Sequence, residues 1–367
     1  MFDFKHYIPV LRWKAAEKDA LKNLSEKSRE RVTPLLEIIM PSPKNFRDEN
    51  NNFKPTEVLL KESISKLKSN LLKTSEEILR CWGKLPVFID FNLIAGDNLK
   101  VESLNNIIKD AAASGIKLVP ITNLNSNMIV QKNTVEASLV AGYGLGFRLF
   151  RSNFDDPQLL GRINTFLTIN NLSKSNIDLF IDLQITDNEC LKLSNLMGEI
   201  PNILEWRTFT VISGAFPKDL SGLAQHNRHL IDRTDWNCWL KQINSEGLER
   251  KPSFGDYSIQ HPIYKEPQPG SNPSASIRYT LKDKWLIMRG EGLRNEKGSG
   301  HQQYPAYAQL LSNDSEFFGK DFSFGDAYIA QKGENTQIKK TGTPRTWLTA
   351  GINHHITCTV SQISNLP

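Results

Sequence analysis

Residues 87–124 read VFIDFNLIAGDNLKVESLNNIIKDAAASGIKLVPITNL. An apolar, β-rich run (VFIDFNLI) precedes a helix-like stretch (VESLNNIIKDAAASG), and a second apolar run (KLVPITNL) follows. Strand, helical crossover and strand in this order make a unit with parallel strands. The alternation extends both ways. Upstream, YIPVLRW (7–13) precedes KAAEKDALKNLSEKSRE, and VTPLLEII (32–39) precedes the long amphipathic TEVLLKESISKLKSNLLKTSEEILRCW. Downstream, TVEASLVAGYG leads to LGFRLFR (145–151) and DPQLLGRINTFLTINNL to IDLFIDLQI (177–185). DNECLKLSNLM then leads to EWRTFTVISG (205–214), and the helical TDWNCWLKQI to SFGDYSIQH (253–261).

Eight such units in about 255 residues match a (β/α)8 barrel of the TIM type. The strands are continuous apolar runs, as expected where both faces of a sheet are buried. A doubly wound open sheet is the alternative, because periodicity does not show whether a sheet closes. Residues 1–262 are therefore read as the barrel and 263–367 as a loop-rich extension that packs on it and is not independent. In the extension, ASIRYTLKDKWLIMRGEG reads as two strands around a Lys-Asp turn, GLRNEKGSGHQQ as a Gly-rich loop, and YPAYAQLLS and FSFGDAYIAQKG as short helices. The strand KWLIMRG (284–290) competes with 253–261 for the eighth place in the barrel.

The chain of 367 residues is 39% hydrophobic and 23% charged, ordinary for a globular protein. Its net charge of +5 permits an anionic partner, but no run of five like charges marks a nucleic-acid footprint. Cys81, Cys190, Cys238 and Cys358 lie far apart without CxxC spacing and are read as reduced thiols in or near the core. The N-terminus lacks a cleavable signal pattern, and no apolar run is long enough to span a bilayer. A cytoplasmic location without membrane contact is expected.

In such a barrel the reactive groups gather where strands end. Glu37, Asp90 and Asp182 each interrupt an apolar strand (LLEII, FIDF, FIDLQ), and a buried charge is costly unless paired or used. Two uses fit. The three carboxylates hold a divalent cation such as Mg²⁺ through oxygen ligands, while Lys14, Arg148 and Arg151 hold a phosphate opposite them. Alternatively, acids and bases pair as interior salt bridges that fix the barrel. The cofactor stays unassigned. Asp256, Tyr257 and His261 come from the eighth unit, and Ser213-Gly214 after the seventh offers backbone N–H groups to a phosphate or is a simple turn. Arg278 and Arg289, on adjoining expected strands, are an anion-binding pair or a cross-strand surface pair. Trp236 and Trp239 share a helix face and are expected to pack on the barrel. GEGLRNEKGSG (290–300) matches neither GxxxxGK[ST] nor GxGxxG, and neither a GxSxG elbow nor an HExxH motif occurs.

YIPVLRWKAAEKDAL, VTPLLEI, FGDY, SIRYT, WLIMRG, FSFGDAYI and the closing W…GINHH together resemble the beta protein family of bacterial and phage proteins. The resemblance runs across most of the chain and brings no established catalytic residues. Members occur in phages and in mobile or defence-associated loci, so it implies a role in phage–host conflict.

Two functions follow. The first is a barrel hydrolase acting on a phosphate-containing substrate, nucleotide or nucleic acid. Glu37, Asp90 and Asp182 then bind metal or act as acid and base, with His355 from the tail handling a proton. Lys14, Arg148, Arg151, Asp256, Tyr257, Arg278 and Arg289 then contact substrate. The second is a catalytically silent barrel that recognises a phage component or a protein partner encoded nearby and controls a separate effector. The loops 41–54, 261–276 and 291–302 are then its interaction surface. An ordinary metabolic barrel enzyme ranks below both, because no cofactor motif appears. Oligomeric state is not legible. Adjacent His354 and His355 diverge by about 100° on a helix and make a poor metal pair. One is expected against the barrel wall and the other toward a rim, a loop or solvent.

Overall fold

The computed structural model describes residues 2–43, 45–186, 190–266 and 270–367. Eleven strands occur among them: β1 (Tyr7–Arg12), β2 (Leu35–Glu37), β3 (Val87–Asp90), β4 (Leu118–Thr122), β5 (Leu145–Phe150), β6 (Ile177–Ile185), β7 (Thr208–Gly214), β8 (Asn227–Asp232), β9 (Ser253–Asp256), β10 (Ser274–Thr280) and β11 (Lys284–Gly292). β1 to β7 and β9 close a parallel barrel in sequence order, β9 pairing with both β7 and β1. The eighth barrel strand is thus Ser253–Asp256, and Lys284–Gly292 lies elsewhere. The open-sheet alternative falls with the closure.

Strands apolar on both faces supply side chains to the interior of the barrel as well as to its outer wall. Ile8, Val10, Leu35, Phe88, Val119, Ile121, Phe180 and Ile212 fill the barrel interior. Their immediate neighbours in sequence, among them Leu11, Leu36, Ile89, Leu179 and Val211, pack outward against the surrounding helices. Side chains alternate along each strand, so the phase continues to Arg12, Glu37, Asp90, Arg148 and Asp182. All five point inward. On β9, Phe254 points outward, so Asp256 does too, and Tyr257 points in. The interior leaves little room at Gly146, where a Cβ would stand 2.6 Å from Ile121.

β8, β10 and β11 form a separate antiparallel sheet of order β10-β11-β8. The expected two strands around the Lys-Asp turn are β10 and β11. β8, from residues between the seventh and eighth barrel strands, is a third member that the sequence does not suggest. Trp285 and Ile287 face the barrel, and Tyr279, Leu286 and Met288 face the short helices Gln303–Ser312 and Phe324–Gly333.

The helix Pro344–Ser364 carries Ile352, Ile356 and Val360 into the same core as Tyr7, Leu11 and Phe254, so it covers the outer wall at β1 and β9. It also touches β10 closely: a Cβ at Gly351 would meet the Arg278 carbonyl oxygen at 2.7 Å. Trp236 and Trp239 both pack on Phe254, with ring centroids 5.2 Å from it.

One thiol assignment is overturned. Cys190 and Cys238, 48 residues apart, form a disulfide with Cα atoms 5.3 Å apart, while Cys81 and Cys358 are free and buried. No local spacing signals the bond, because its partners meet only when the segments after β6 and β7 lie side by side around the barrel. The helix expected from DNECLKLSNLM is Leu193–Gly198; residues 187–189 lie outside the described ones, as do 44 and 267–269 of the loops 41–54 and 261–276. Among the described residues no helix is long and apolar enough to cross a membrane.

Candidate functional site

Three carboxylates, at the C-terminal ends of β2 and β3 and in the second half of β6, converge on one guanidinium. Arg148 donates from Nε and Nη2 to Asp182 Oδ2 at 3.0 and 2.6 Å. Its Nη1 donates to Asp90 Oδ2 at 2.6 Å and to Glu37 Oε1 at 3.0 Å. The Tyr257 hydroxyl donates to Asp182 Oδ2 at 2.6 Å and accepts from Arg148 Nη2 at 2.9 Å. All five side chains are buried. Burial opposes the charge on Arg148, but Tyr257 and the three carboxylates outweigh it and hold the guanidinium protonated. Burial and the neighbouring Asp182 push the Tyr257 phenol well up, so it stays neutral and donates.

The guanidinium therefore stands between the carboxylates where the sequence suggests a metal ion. Among the described residues no group of three or more His, Cys, Asp or Glu side chains is disposed to hold one. The donor set fits an arginine through directional hydrogen bonds.

Glu37 is the member left incomplete. Its Oε2 is buried without a hydrogen-bond partner and faces Arg12 Nε, equally unpartnered, at 3.6 Å. Burial pushes the Glu37 carboxyl up against the pull of Arg148 and Arg12. Arg12 ends β1 and turns toward the βα loops. Its Nη2 donates to the carbonyls of His261 and Pro262 at 2.8 and 2.6 Å, and its Nη1 donates to Gln260 Oε1 at 3.3 Å.

On its other side Arg12 borders a cleft of about 1120 Å³. The loops after β1, β2, β7 and β9 form it at the C-terminal face of the barrel, and β10 and the start of the helix Pro344–Ser364 close it. Eight Lys and Arg side chains line it against four Asp and Glu. Lys14 stands here with Nζ 2.8 Å from the Tyr264 hydroxyl and 3.2 Å from Glu266. Arg278 reaches in from β10, donates to the Ile259 carbonyl at 2.8 Å, and stacks 4.9 Å from the Phe216 ring. It makes no ion pair among the described residues. Burial lowers it to about 10, which leaves it a cation at neutral pH.

The other expected site residues disperse. Arg151 lies past the end of β5 in a 3₁₀ turn, paired with Asp155 at 2.9 Å in the open, and does not join Arg148. Arg289 donates to the Ser221 and Leu223 carbonyls and does not meet Arg278, since β10 and β11 pair Arg278 with Ile287. Asp256 faces out of the barrel. Its Oδ2 meets His355 Nε2 at 2.8 Å, and its Oδ1 accepts from the Tyr7 hydroxyl.

His355 is thus in the wall and not at the barrel mouth, and both histidines are fully buried. Of the three settings expected for the second histidine, rim and solvent are overturned, because the sheet β10-β11-β8 covers the side of the helix left open by the barrel. A loop is met, since His354 packs against Phe318 and Phe322 of the segment between the two short helices. His355 Nδ1 meets Thr280 Oγ1 at 2.8 Å, while His354 bridges Asp326 and the Thr280 carbonyl, each at 2.8 Å. Burial lowers His355 despite Asp256, so it is neutral: Nε2–H donates to Asp256 and Nδ1 accepts from Thr280. Burial pushes Asp256 up, but His355, Tyr7 and Arg233 outweigh it and hold the carboxyl below its ordinary range. These contacts form one polar seam between barrel and extension.

Two further groups escape a reading of the sequence. Trp13, just after β1, and Glu17, in the first turn of the helix that follows, line the cleft, 8% and 1% exposed, and each carries a buried polar atom without a partner among the described residues: Trp13 Nε1 and Glu17 Oε2. Glu17 reads as a surface helical charge, and only the tertiary structure, with Gln260 folded onto it, shows it buried.

The sequence matches the Beta protein family model over residues 7–361. No curated protein matches it. Among solved structures it is similar to two mutants of the tryptophan synthase alpha-subunit from the hyperthermophile Pyrococcus furiosus. One is 14% identical with a TM-score of 0.40, covering 70% of this chain and 88% of that one. The other is 15% identical with a TM-score of 0.38, covering 70% and 89%. The family match spans nearly the whole chain, from β1 through the helix with the paired histidines, and the protein belongs to the Beta protein family.

Proposed function

We propose that the protein is a recognition barrel of phage–host conflict that binds a phosphate-bearing ligand in the basic cleft at the C-terminal face. Arg278 is the observation that carries this reading. A half-buried guanidinium without a carboxylate partner among the described residues, beside Arg12 and Lys14 in one cleft, suits an anion. The carboxylates that would do chemistry are instead spent on Arg148 and sealed in the barrel. Family membership supports the phage–host setting. Calorimetric titration with pyrophosphate tests the binding. Affinity should fall at least about tenfold in Arg278→Ala and weaken with salt. Unchanged affinity in that variant would remove the reading, and loss of phage restriction in Arg278→Ala tests the setting.

One observation favours the hydrolase reading: Arg12 joins the cleft to Glu37, whose raised carboxyl suits a general acid. Turnover of bis(p-nitrophenyl) phosphate, abolished in Glu37→Gln with folding intact, is its test.

A further inference from the structure

Buried polar groups are almost always hydrogen-bonded, and each exception in a folded protein calls for a partner. Among the described residues lining the cleft, Trp13 Nε1 and Glu17 Oε2 are such exceptions, Trp13 from the link after β1 and Glu17 from the first turn of the helix Ala15–Lys22. They are complementary. The indole N–H only donates, and the free carboxylate oxygen accepts. The other Glu17 oxygen is already committed, accepting from Gln260 Nε2 at 2.7 Å. Gln260 in turn accepts from Arg12, so the turn is held rigid from the barrel side.

We propose that Trp13 and Glu17 form a subsite for the nucleoside portion of a mononucleotide. A hydroxyl or base edge of the ligand accepts from Trp13 Nε1 and donates to Glu17 Oε2, while its phosphate lies on Arg278 and Lys14. The proposal rests on the reading of the cleft as a phosphate site and names the rest of the ligand. Inorganic phosphate alone leaves both orphan atoms unmet. An apolar body leaves them unmet as well and gains nothing from the cations. A nucleotide combines phosphate with adjacent donors and acceptors on a ring that packs against Ile38, Leu67 and Leu71. The cleft volume of about 1120 Å³ suits one such ligand. Burial pushes the Glu17 carboxyl up against the pull of Gln260, Lys14 and Arg12, and a ligand donor at Oε2 would add to that pull.

The test is calorimetric titration of the whole chain with pyrophosphate, with AMP, GMP, CMP and UMP, and with a short single-stranded oligonucleotide. At least one mononucleotide should bind about tenfold or more tightly than pyrophosphate. Glu17→Gln, which sets an N–H against the ligand's donor, and Trp13→Phe, which keeps the ring and loses the N–H, should each bring that nucleotide down to the pyrophosphate level. Pyrophosphate should bind Trp13→Phe as it binds the parent, and Glu17→Gln no more weakly, since that variant loses a negative charge near Lys14 and Arg12; retained binding also shows that the variants are folded. Mononucleotides that bind no tighter than pyrophosphate, or variants that lose nothing, overturn the subsite and leave the phosphate reading standing. An oligonucleotide that binds where mononucleotides do not overturns the ligand class. Absence of binding by every probe overturns both readings.

Discussion

Arg148 holds Asp182 with two nitrogens on one carboxylate oxygen, Nε at 3.0 Å and Nη2 at 2.6 Å, with both side chains shut inside the barrel. Asp90 and Glu37 complete the shell around the same guanidinium, so this single residue compensates three buried acids. The barrel mouth is therefore closed by an ionic plug, and the accessible polar chemistry lies to one side of it, beyond Arg12.

Removing the plug's cation should cost more than removing an ordinary core side chain. Arg148→Met leaves Asp90, Asp182 and Glu37 buried without their guanidinium, a loss expected at about 3–5 kcal/mol. Urea unfolding measures it. A variant with native stability that loses only ligand binding would show that the cluster serves the site and not the fold.

The seam at His355 makes a separate prediction. His355→Ala leaves Asp256 Oδ2 and Thr280 Oγ1 without the ring and opens a cavity, costing about 2–5 kcal/mol, and His355→Gln should recover part of it. Because the folded ring is held neutral, its lowered pKa makes the native state bind fewer protons than the unfolded chain. The stability it contributes is present above the unfolded value near 6.5 and is lost as pH falls below it. His355→Gln should flatten the acid side of a stability–pH curve, and pyrophosphate affinity should not move. A change in affinity without a change in stability would restore the ring to the site.

Asp235 predicts the opposite slope. Burial and the nearby Asp256 push its carboxyl up to about 7, against Arg233 and the Trp236 amide, which donates to its Oδ1 at 2.9 Å. A raised acid stabilises fully below its unfolded value near 4, and this contribution is lost as pH rises through about 7. Asp235→Asn keeps the acceptor and removes the charge. It should melt roughly 2–6 °C higher than the parent at pH 8 and show no such gain near pH 4. Equal melting at both pH values would rule out the titration.

The Cys190–Cys238 bond closes a loop across the segments after β6 and β7. Replacing both cysteines with serine should cost about 2–4 kcal/mol. Thiol titration of the denatured parent without reductant should find Cys81 and Cys358 only; four free thiols would contradict the bond.

What the sequence determines by itself is a set of eight parallel strands and their cargo of acids, while closure into a barrel belongs to the tertiary structure. Eight continuous apolar runs separated by helices fix the parallel strands, since only a sheet buried on both faces asks for such runs. The same runs expose Glu37, Asp90, Asp182 and Arg148, because a charge inside apolar sequence is legible without a structure. What they face is not. The period of a strand is local, but its phase is set by whichever neighbours pack on each side, so Asp90 turns in and Asp256 turns out. Arg151, three residues beyond Arg148, leaves the strand and faces solvent.

The extension decides the rest by covering surfaces. Docking of the helix Pro344–Ser364 and of β10 buries both histidines in a seam and sets Arg278 in the cleft with no counter-ion among the described residues, beside the buried orphans Trp13 Nε1 and Glu17 Oε2. In the chain these are ordinary residues of a strand end and a helix start. Their chemistry arises from desolvation, which segments more than 200 residues away impose on them and which no local pattern records.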